Sequence, residues 1–289
     1  MNLPPEKQHL LDTLLTHLAA IPGMQAVVLG GSYARGTARP GSDLDVGLYY
    51  AESAPFRIDD VRAAAAAISN AGPPDVTGFY GWGPWVNGGA WVHTAAGKVD
   101  FLYRNLDQVQ RAIDDAVKRG VTHHDYAQQP AFGFYSVIYL AETRICRPLY
   151  DPHGHIARLK EQVAVYPPLL KEKTIASSLW SAEFTLLHAD GYAQAGNVYA
   201  AVGALARAAS YLTQALFALN EVYFMSDKTA MQEIAAFPAA PAGFVPRLNA
   251  ALAHPGESPA ALAQAVEQVR GLWAEVVALA GSYTPAFRL

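Results

Sequence analysis

Gly30-Gly31-Ser32-Tyr33-Ala34-Arg35-Gly36, followed after a short polar turn by Asp43-Leu44-Asp45, is the stretch on which the reading of this chain turns. Upstream, Gln25 to Leu29 (Gln-Ala-Val-Val-Leu) is an apolar, β-branched run that ends in two glycines, which predicts a buried strand entering a tight turn. Ser32 is then placed to cap a short helix over Tyr33 to Thr37, and the backbone N–H groups at such a start form an anion site. A side chain at position 30 or 31 would hold the backbone away from a phosphate, so glycine suits a phosphate cradle. Arg39-Pro40-Gly41-Ser42 makes the return turn, and Asp43 to Tyr50 reads as the next strand. Successive strand residues point to opposite faces, so Asp43 and Asp45 share one face while Leu44 and Val46 share the other.

Two like charges side by side repel, and each resists burial unless a cation or hydrogen bonds compensate. Magnesium takes one or two carboxylates plus waters and substrate phosphates, which matches a site with few protein ligands. Taken alone, the two aspartates also read as solvated residues at a strand start and the glycines as a simple turn. Their combination at this distance favours a site.

Gly31-Ser32, ten intervening residues, then Asp43-x-Asp45 resembles the signature of the nucleotidyltransferase superfamily related to DNA polymerase β. Within it, the chain looks most like the bacterial minimal and antibiotic-type nucleotidyltransferases. The resemblance is specific over residues 25 to 50, looser to about residue 105, and architectural beyond. It implies an α+β fold, a mixed sheet with helices followed by an all-α helical bundle. It also implies transfer of a nucleoside monophosphate, AMP from ATP, to a hydroxyl with release of pyrophosphate.

The family pattern requires a third carboxylate on a neighbouring strand. Gly97-Lys98-Val99-Asp100-Phe101-Leu102-Tyr103 carries one acid among apolar neighbours, and Asp100 fits the role. Its plainer reading is an acid at an edge strand or one satisfied by Lys98 or Arg104. On the resemblance, Asp43 and Asp45 hold the metal that grips the triphosphate, and Gly31 with Ser32 hold the outer phosphates. Asp100 either helps bind a second Mg2+ or acts as the general base, roles that both need a carboxylate near the attacking oxygen. Arg35 neutralises phosphate charge or braces the loop by pairing with an acid. A lysine from the helical domain of antibiotic-type relatives reaches the triphosphate. Lys228, in the polar segment Asn220-Glu221-Val222-Tyr223-Phe224-Met225-Ser226-Asp227-Lys228, is the candidate, against the reading of a solvated lysine after a helix end.

Composition frames this without choosing the chemistry. At 289 residues and 52% hydrophobic, the chain can bury one large core or two smaller ones. A net charge of −4 offers no basic field to a polynucleotide, which counts against polymerase or transfer-RNA-tailing relatives. Cys146 is the only cysteine, so no intrachain disulfide forms, and a reducing cytoplasm is expected. Residues 1 to 20 contain Glu6, Lys7, His9 and Asp12 and read as an amphipathic helix rather than a leader. Val198 to Leu219, interrupted by Arg207, Ser210, Thr213 and Gln214, reads as a bundle helix rather than a membrane span.

Along the chain, helices are expected over 57–70 and 105–119, an apolar helical segment around 131–140 and a strand over 143–149. Asp151-Pro152-His153-Gly154 marks the expected boundary between a nucleotide- and metal-binding domain (1–150) and a helical acceptor-site domain (151–289). Long helices are expected over 156–164, 168–191, 195–222 and 258–280, with Pro238, Pro241, Pro246, Pro255 and Pro259 confining the connection between the last two.

Gly81-Trp82-Gly83-Pro84-Trp85-Val86-Asn87-Gly88-Gly89-Ala90-Trp91 holds three of the five tryptophans; its rings either stack on an acceptor or pack a hairpin onto the core. His123-His124-Asp125 and His153-Gly154-His155 lack zinc-type companions and read as turns. Glu142, Glu183 and Glu221 stand as alternative bases. Small-molecule nucleotidyl transfer leads over modification of a partner protein and over a nucleotide-binding regulator without turnover. A homodimer is an expectation of the resemblance alone.

Overall fold

A computed structural model describes residues 3–287. The chain divides into two compact units: Met1–Asp115 with His123–Gln129 and Gly133–Val165, and Ala116–Thr122 with Pro130–Phe132 and Tyr166–Leu289. The segment 151–165 therefore clusters with the first unit.

In chain order the first unit contains α1 (Pro5–Ala19), β1 (Met24–Leu29), α2 (Gly31–Arg35), β2 (Leu44–Tyr50), α3 (Ile58–Ile68), β3 (Asp75–Val76), β4 (Gly89–Thr94), β5 (Gly97–Asn105), α4 (Leu106–Asp114), β6 (His124–Asp125), β7 (Phe134–Tyr135), α5 (Val137–Ile145), β8 (Arg147–Tyr150) and α6 (His155–Gln162). Six strands form one mixed sheet, in the order β3-β4-β5-β2-β1-β8. Among the described residues only β2 and β5 run parallel within it. That pairing needs a long crossover, which α3, β3 and β4 supply.

Alternation gives this sheet two unlike faces. Val27 and Leu29 of β1, Leu44, Val46, Leu48 and Tyr50 of β2, and Val99, Phe101 and Tyr103 of β5 are buried in a core with Leu11, Leu14 and Leu18 of α1 and Val61, Ala64 and Ala65 of α3. Each of the larger side chains there contributes about 1.5–3 kcal/mol by leaving water. The opposite face carries Asp45, Gly47 and Tyr49 of β2 and Asp100, Leu102 and Arg104 of β5. Half of what a strand buries in the core thus fixes where its polar residues stand.

The second unit is helical: α7 (Pro168–Gln194), α8 (Val198–Leu219), α9 (Asp227–Ile234), α10 (Phe244–Ala253) and α11 (Pro259–Ala280). α7, α8 and α11 pack against one another, with α10 on α11 and α8, and α9 on α8. Of α8, the most apolar window is 67% buried within the structure.

Four local expectations give way. The short helix after β1 starts at Gly31, with Gly30 rather than Ser32 as its N-cap and no side-chain capping bond. Residues 131–135 are not helical; α5 begins at Val137 and runs to Ile145, so residues 143–145 are helix and the strand is only Arg147–Tyr150. Lys160 fixes that longer helix, because its Nζ donates to the carbonyls of Thr143, Arg144 and Cys146 at 2.7–3.1 Å. Lastly, the proline-rich connection holds α9 and α10. Pro246 lies in the first turn of α10, where a missing N–H costs nothing.

Candidate active site

Strand register brings the acids together. Asp45 and Asp100 are direct partners across the parallel β2–β5 pair, and Asp43 immediately precedes β2. Lys98, two residues before Asp100 and so on the same face, places its Nζ 2.8 Å and 3.0 Å from the two carboxylate oxygens of Asp100 and 3.7 Å from Asp43. The contact to Oδ1 lacks hydrogen-bond geometry, so Asp100 Oδ1 is buried without a hydrogen-bond partner. One lysine thus bridges two acids, satisfying neither fully.

Burial pushes the Asp45 carboxyl up to about 6, and the charges of Asp100, Asp43 and Glu142 push the same way against Lys98. Burial alone would lower the Lys98 ammonium, but Asp100 and Asp43 outweigh it and the net direction is up. The Lys98 direction reports the two acids beside it, and that of Asp45 reports burial first and its acidic neighbours second.

The glycine turn is tied to this cluster. Gly30 N–H donates to the Asp45 carbonyl at 2.8 Å. Gly31 adopts φ +56°, and a Cβ there would lie 1.7 Å from Asp45 Oδ2, so only glycine lets the turn close on the carboxylate. Ser32 and Arg35 follow in α2, both half-buried. Lys228 belongs to the second unit, exposed in the first turn of α9, where its N–H donates to the Ser226 cap.

Beside Asp45 on the same face lies a small cleft lined by Gly30, Gly31, Gly47, Tyr49, Arg104 and Glu142 among others. Arg104 and Glu142 form a two-pronged ion pair at 2.7 and 2.8 Å. Arg104, weighed above as a partner for Asp100, thus serves Glu142 instead. Of the other alternative bases, Glu183 is fully buried in α7 and Glu221 pairs with Lys171 at 2.8 Å. His123 contacts Asp115 at 2.8 Å, and His124 stacks on Tyr135.

The tryptophans divide in role. Trp85 packs the loop, stacking on Phe134 at 5.7 Å and accepting the Tyr139 hydroxyl at its carbonyl. Trp91 sits on β4 opposite Asp100, is 45% exposed, and stacks with Trp82 at 5.1 Å. The Lys98–Asp100 pair is the one weighed from the sequence, whereas the second contact of Lys98, to Asp43, and the pairing of Trp91 with Asp100 depend on strand register, for which the sequence carries no direct signal beyond alternation.

Among the described residues no group of three or more His, Cys, Asp and Glu side chains is already gathered as a metal cage. The oxygen-only donor set, and three carboxylates gathered about the single Lys98 ammonium, nonetheless fit a hard divalent cation.

Residues 11–76 match the family model of the nucleotidyltransferase domain. Residues 137–228 match a domain of unknown function, DUF4037. No curated protein matches the chain. Among solved structures, the chain is similar to a nucleotidyltransferase-like protein from Exiguobacterium sibiricum 255-15, with 11% identity and a TM-score of 0.47 over 95% of this chain and 77% of that one. The nucleotidyltransferase match includes Gly31, Ser32, Arg35, Asp43 and Asp45, and Asp100 lies beyond it.

Proposed function

We propose that this nucleotidyltransferase transfers AMP from ATP to a hydroxyl of a small-molecule acceptor and releases pyrophosphate. The observation that carries the reading is the in-register Asp45–Asp100 pair, with Asp43 at the strand head and Gly31 closed against Asp45. Asp43, Asp45 and Asp100 would hold Mg2+, two ions on the logic of phosphoryl transfer, which when bound supply compensation for the triphosphate charge. The backbone of Gly31 and Ser32 cradles the outer phosphates, and Arg35 adds positive charge beside them. Asp100, held by Lys98 on the face it shares with Asp45, takes the proton of the acceptor hydroxyl. The acceptor oxygen then forms a bond to the α-phosphorus as the α–β bridging bond breaks, and the electron pair departs with pyrophosphate.

The test is incubation of the protein with Mg2+ and α-labelled ATP in a cell extract, beside an Asp43→Asn/Asp45→Asn control. Label in a small molecule, absent from the control, is the expected result. Label on a protein transfers the reading to a protein modifier, and ATP binding without label to a regulator. The Lys228 assignment rests on the resemblance and has its own check: Lys228→Ala weakens ATP binding several-fold, and unchanged affinity removes it from the site.

A further inference from the structure

We infer that the Lys98 ammonium is the resident counter-ion of the carboxylate cluster, and that a divalent cation enters the site by displacing it from Asp43 and Asp100. The inference deepens the nucleotidyl-transfer reading at that same site and rests on its metal requirement.

Register sets four side chains in a square on one sheet face. Asp45 of β2 pairs with Asp100 of β5, and the alignment of Leu44 with Val99 sets Asp43 beside Lys98 one step earlier. Residues two apart along a strand share a face, so Asp43, Asp45, Lys98 and Asp100 belong to the same one. Three corners are acids and the fourth is a lysine. Lys98 follows directly on the tight turn between β4, which ends at Thr94, and β5, which begins at Gly97. A long side chain at a hairpin mouth is free to extend into water. Lys98 instead turns onto the acids, with Nζ 2.8 and 3.0 Å from the two oxygens of Asp100 and 3.7 Å from Asp43.

An ammonium in that place and a metal ion exclude each other. Mg2+ holds carboxylate oxygens at about 2.0–2.1 Å in an octahedral shell. An ion that close to Asp43 and Asp100 stands beside the ammonium with no carboxylate between them, and the two cations repel. Exchange sets two positive charges in place of one against three carboxylates, so the acids favour the ion. Both oxygens of Asp100 also lie against Nζ, which weakens this carboxylate as a ligand and as a base. Departure of the ammonium restores both capacities, so the arrival of the ion and the readiness of Asp100 become one event.

The lysine is suited to leaving. Its side chain is 31% exposed, its stem is flexible, and Nζ already lies 5.8 Å from the centroid of the exposed Trp91 ring. A guanidinium grips a carboxylate through two parallel hydrogen bonds and is released less readily than a point charge.

Mn2+ alone is the probe, added to the full chain, with binding followed by loss of the free-ion EPR signal. Lys98→Met is expected to tighten Mn2+ about ten-fold, the scale of one charge-assisted hydrogen bond that the ion no longer has to break. Lys98→Arg keeps the charge and is expected to weaken Mn2+ several-fold, which separates direct pairing from net charge. A second readout needs no substitution at Lys98. Reductive methylation of Lys98 in the wild-type chain, measured by mass spectrometry against the exposed Lys173 of α7, is expected to speed up several-fold on addition of Mg2+. The same addition to Asp43→Asn/Asp45→Asn should leave the rate where it was. Weaker Mn2+ binding in Lys98→Met would make the lysine a brace that assembles the acids, and an unmoved methylation rate in the wild-type chain would show that ion and ammonium coexist; either result overturns the inference, as does the absence of Mn2+ binding to every form. Exchange without labelled product in the ATP assay instead sinks the nucleotidyl-transfer reading and leaves the exchange standing, and labelled product with an unmoved Lys98 does the reverse.

Discussion

Asp45 carries a conflict between folding and function that a titration exposes. Burial first, then three neighbouring carboxylates, raise its carboxyl from 3.8 to about 6. The folded chain therefore binds this proton more tightly than the unfolded chain, and stability falls as pH rises from about 4 to about 6, then levels. Two pH units correspond to about 3 kcal/mol. In the presence of a chelator, Asp45→Asn is expected to stabilise the protein by about 1–3 kcal/mol at pH 8 and hardly at all at pH 4, read from urea melts at each pH. An equal effect at both values would show that the charge is not what costs stability. Gly31 poses the steric half of the same arrangement. Gly31→Ala forces a Cβ to 1.7 Å from Asp45 Oδ2, whereas Gly36, also at positive φ, has nothing within 4 Å of its Cβ position. Gly36→Ala should therefore cost about 1 kcal/mol of backbone strain, and Gly31→Ala clearly more, with loss of ATP binding as well. Thermal melts of the two variants separate strain from collision. The glycines and the Asp-x-Asp pair were legible because spacing along one strand is local. Lys98 as a bridge between Asp43 and Asp100 was not, since it needs β2 and β5 laid side by side.

Helix α5 shows where sequence reasoning fails at the level of elements. Thr143 to Leu149 contains β-branched and apolar residues that suit a strand, yet residues 143–145 are helical. The deciding interaction is remote: Lys160 of α6 gathers the carbonyls of Thr143, Arg144 and Cys146. A tertiary cap overrides a local propensity. The consequence is placement of Glu142, one turn before the helix end, against Arg104 of β5. Arg104 also donates to the carbonyls of Val86 and Tyr103, so it ties the helix, the strand and the tryptophan loop together. Arg104→Met strands Glu142, and about 3 kcal/mol is expected to be lost, the low end for a buried pair because a quarter of the Glu142 side chain is solvent-exposed. Arg104→Met/Glu142→Met should recover most of that loss. Chemical denaturation of both single variants and the double variant measures the coupling, and additive losses would show that the pair does not act as a unit.

For the molecule as a whole, the alternation of strands and helices followed by long helices was readable from periodicity, because core faces repeat every two residues in strands and every three to four in helices. Docking of the C-terminal tail on the helical unit was not readable, because it rests on one acid in the middle of α7 and partners about a hundred residues later. Glu183 is fully buried, and its carboxylate accepts the Tyr283 hydroxyl and the backbone N–H groups of Ala286 and Phe287, at 3.1 and 2.6 Å. Among the described residues these tail donors are what its carboxylate bonds. The Phe287 ring lies near Trp180 and Phe184, so the same tail also covers apolar surface. Ending the chain after Ser282 removes these donors and leaves a buried carboxyl with none of them, a change expected to cost about 3 kcal/mol or more. Glu183→Leu in the shortened chain removes the orphaned group and should restore part of the loss, whereas in the full-length chain the same substitution should be destabilising because it orphans two backbone N–H groups. Opposite signs for one substitution in two backgrounds, read by hydrogen exchange along α7 and by denaturant midpoint, are the signature of a tail held by Glu183. The same sign in both would mean that the tail packs independently of it.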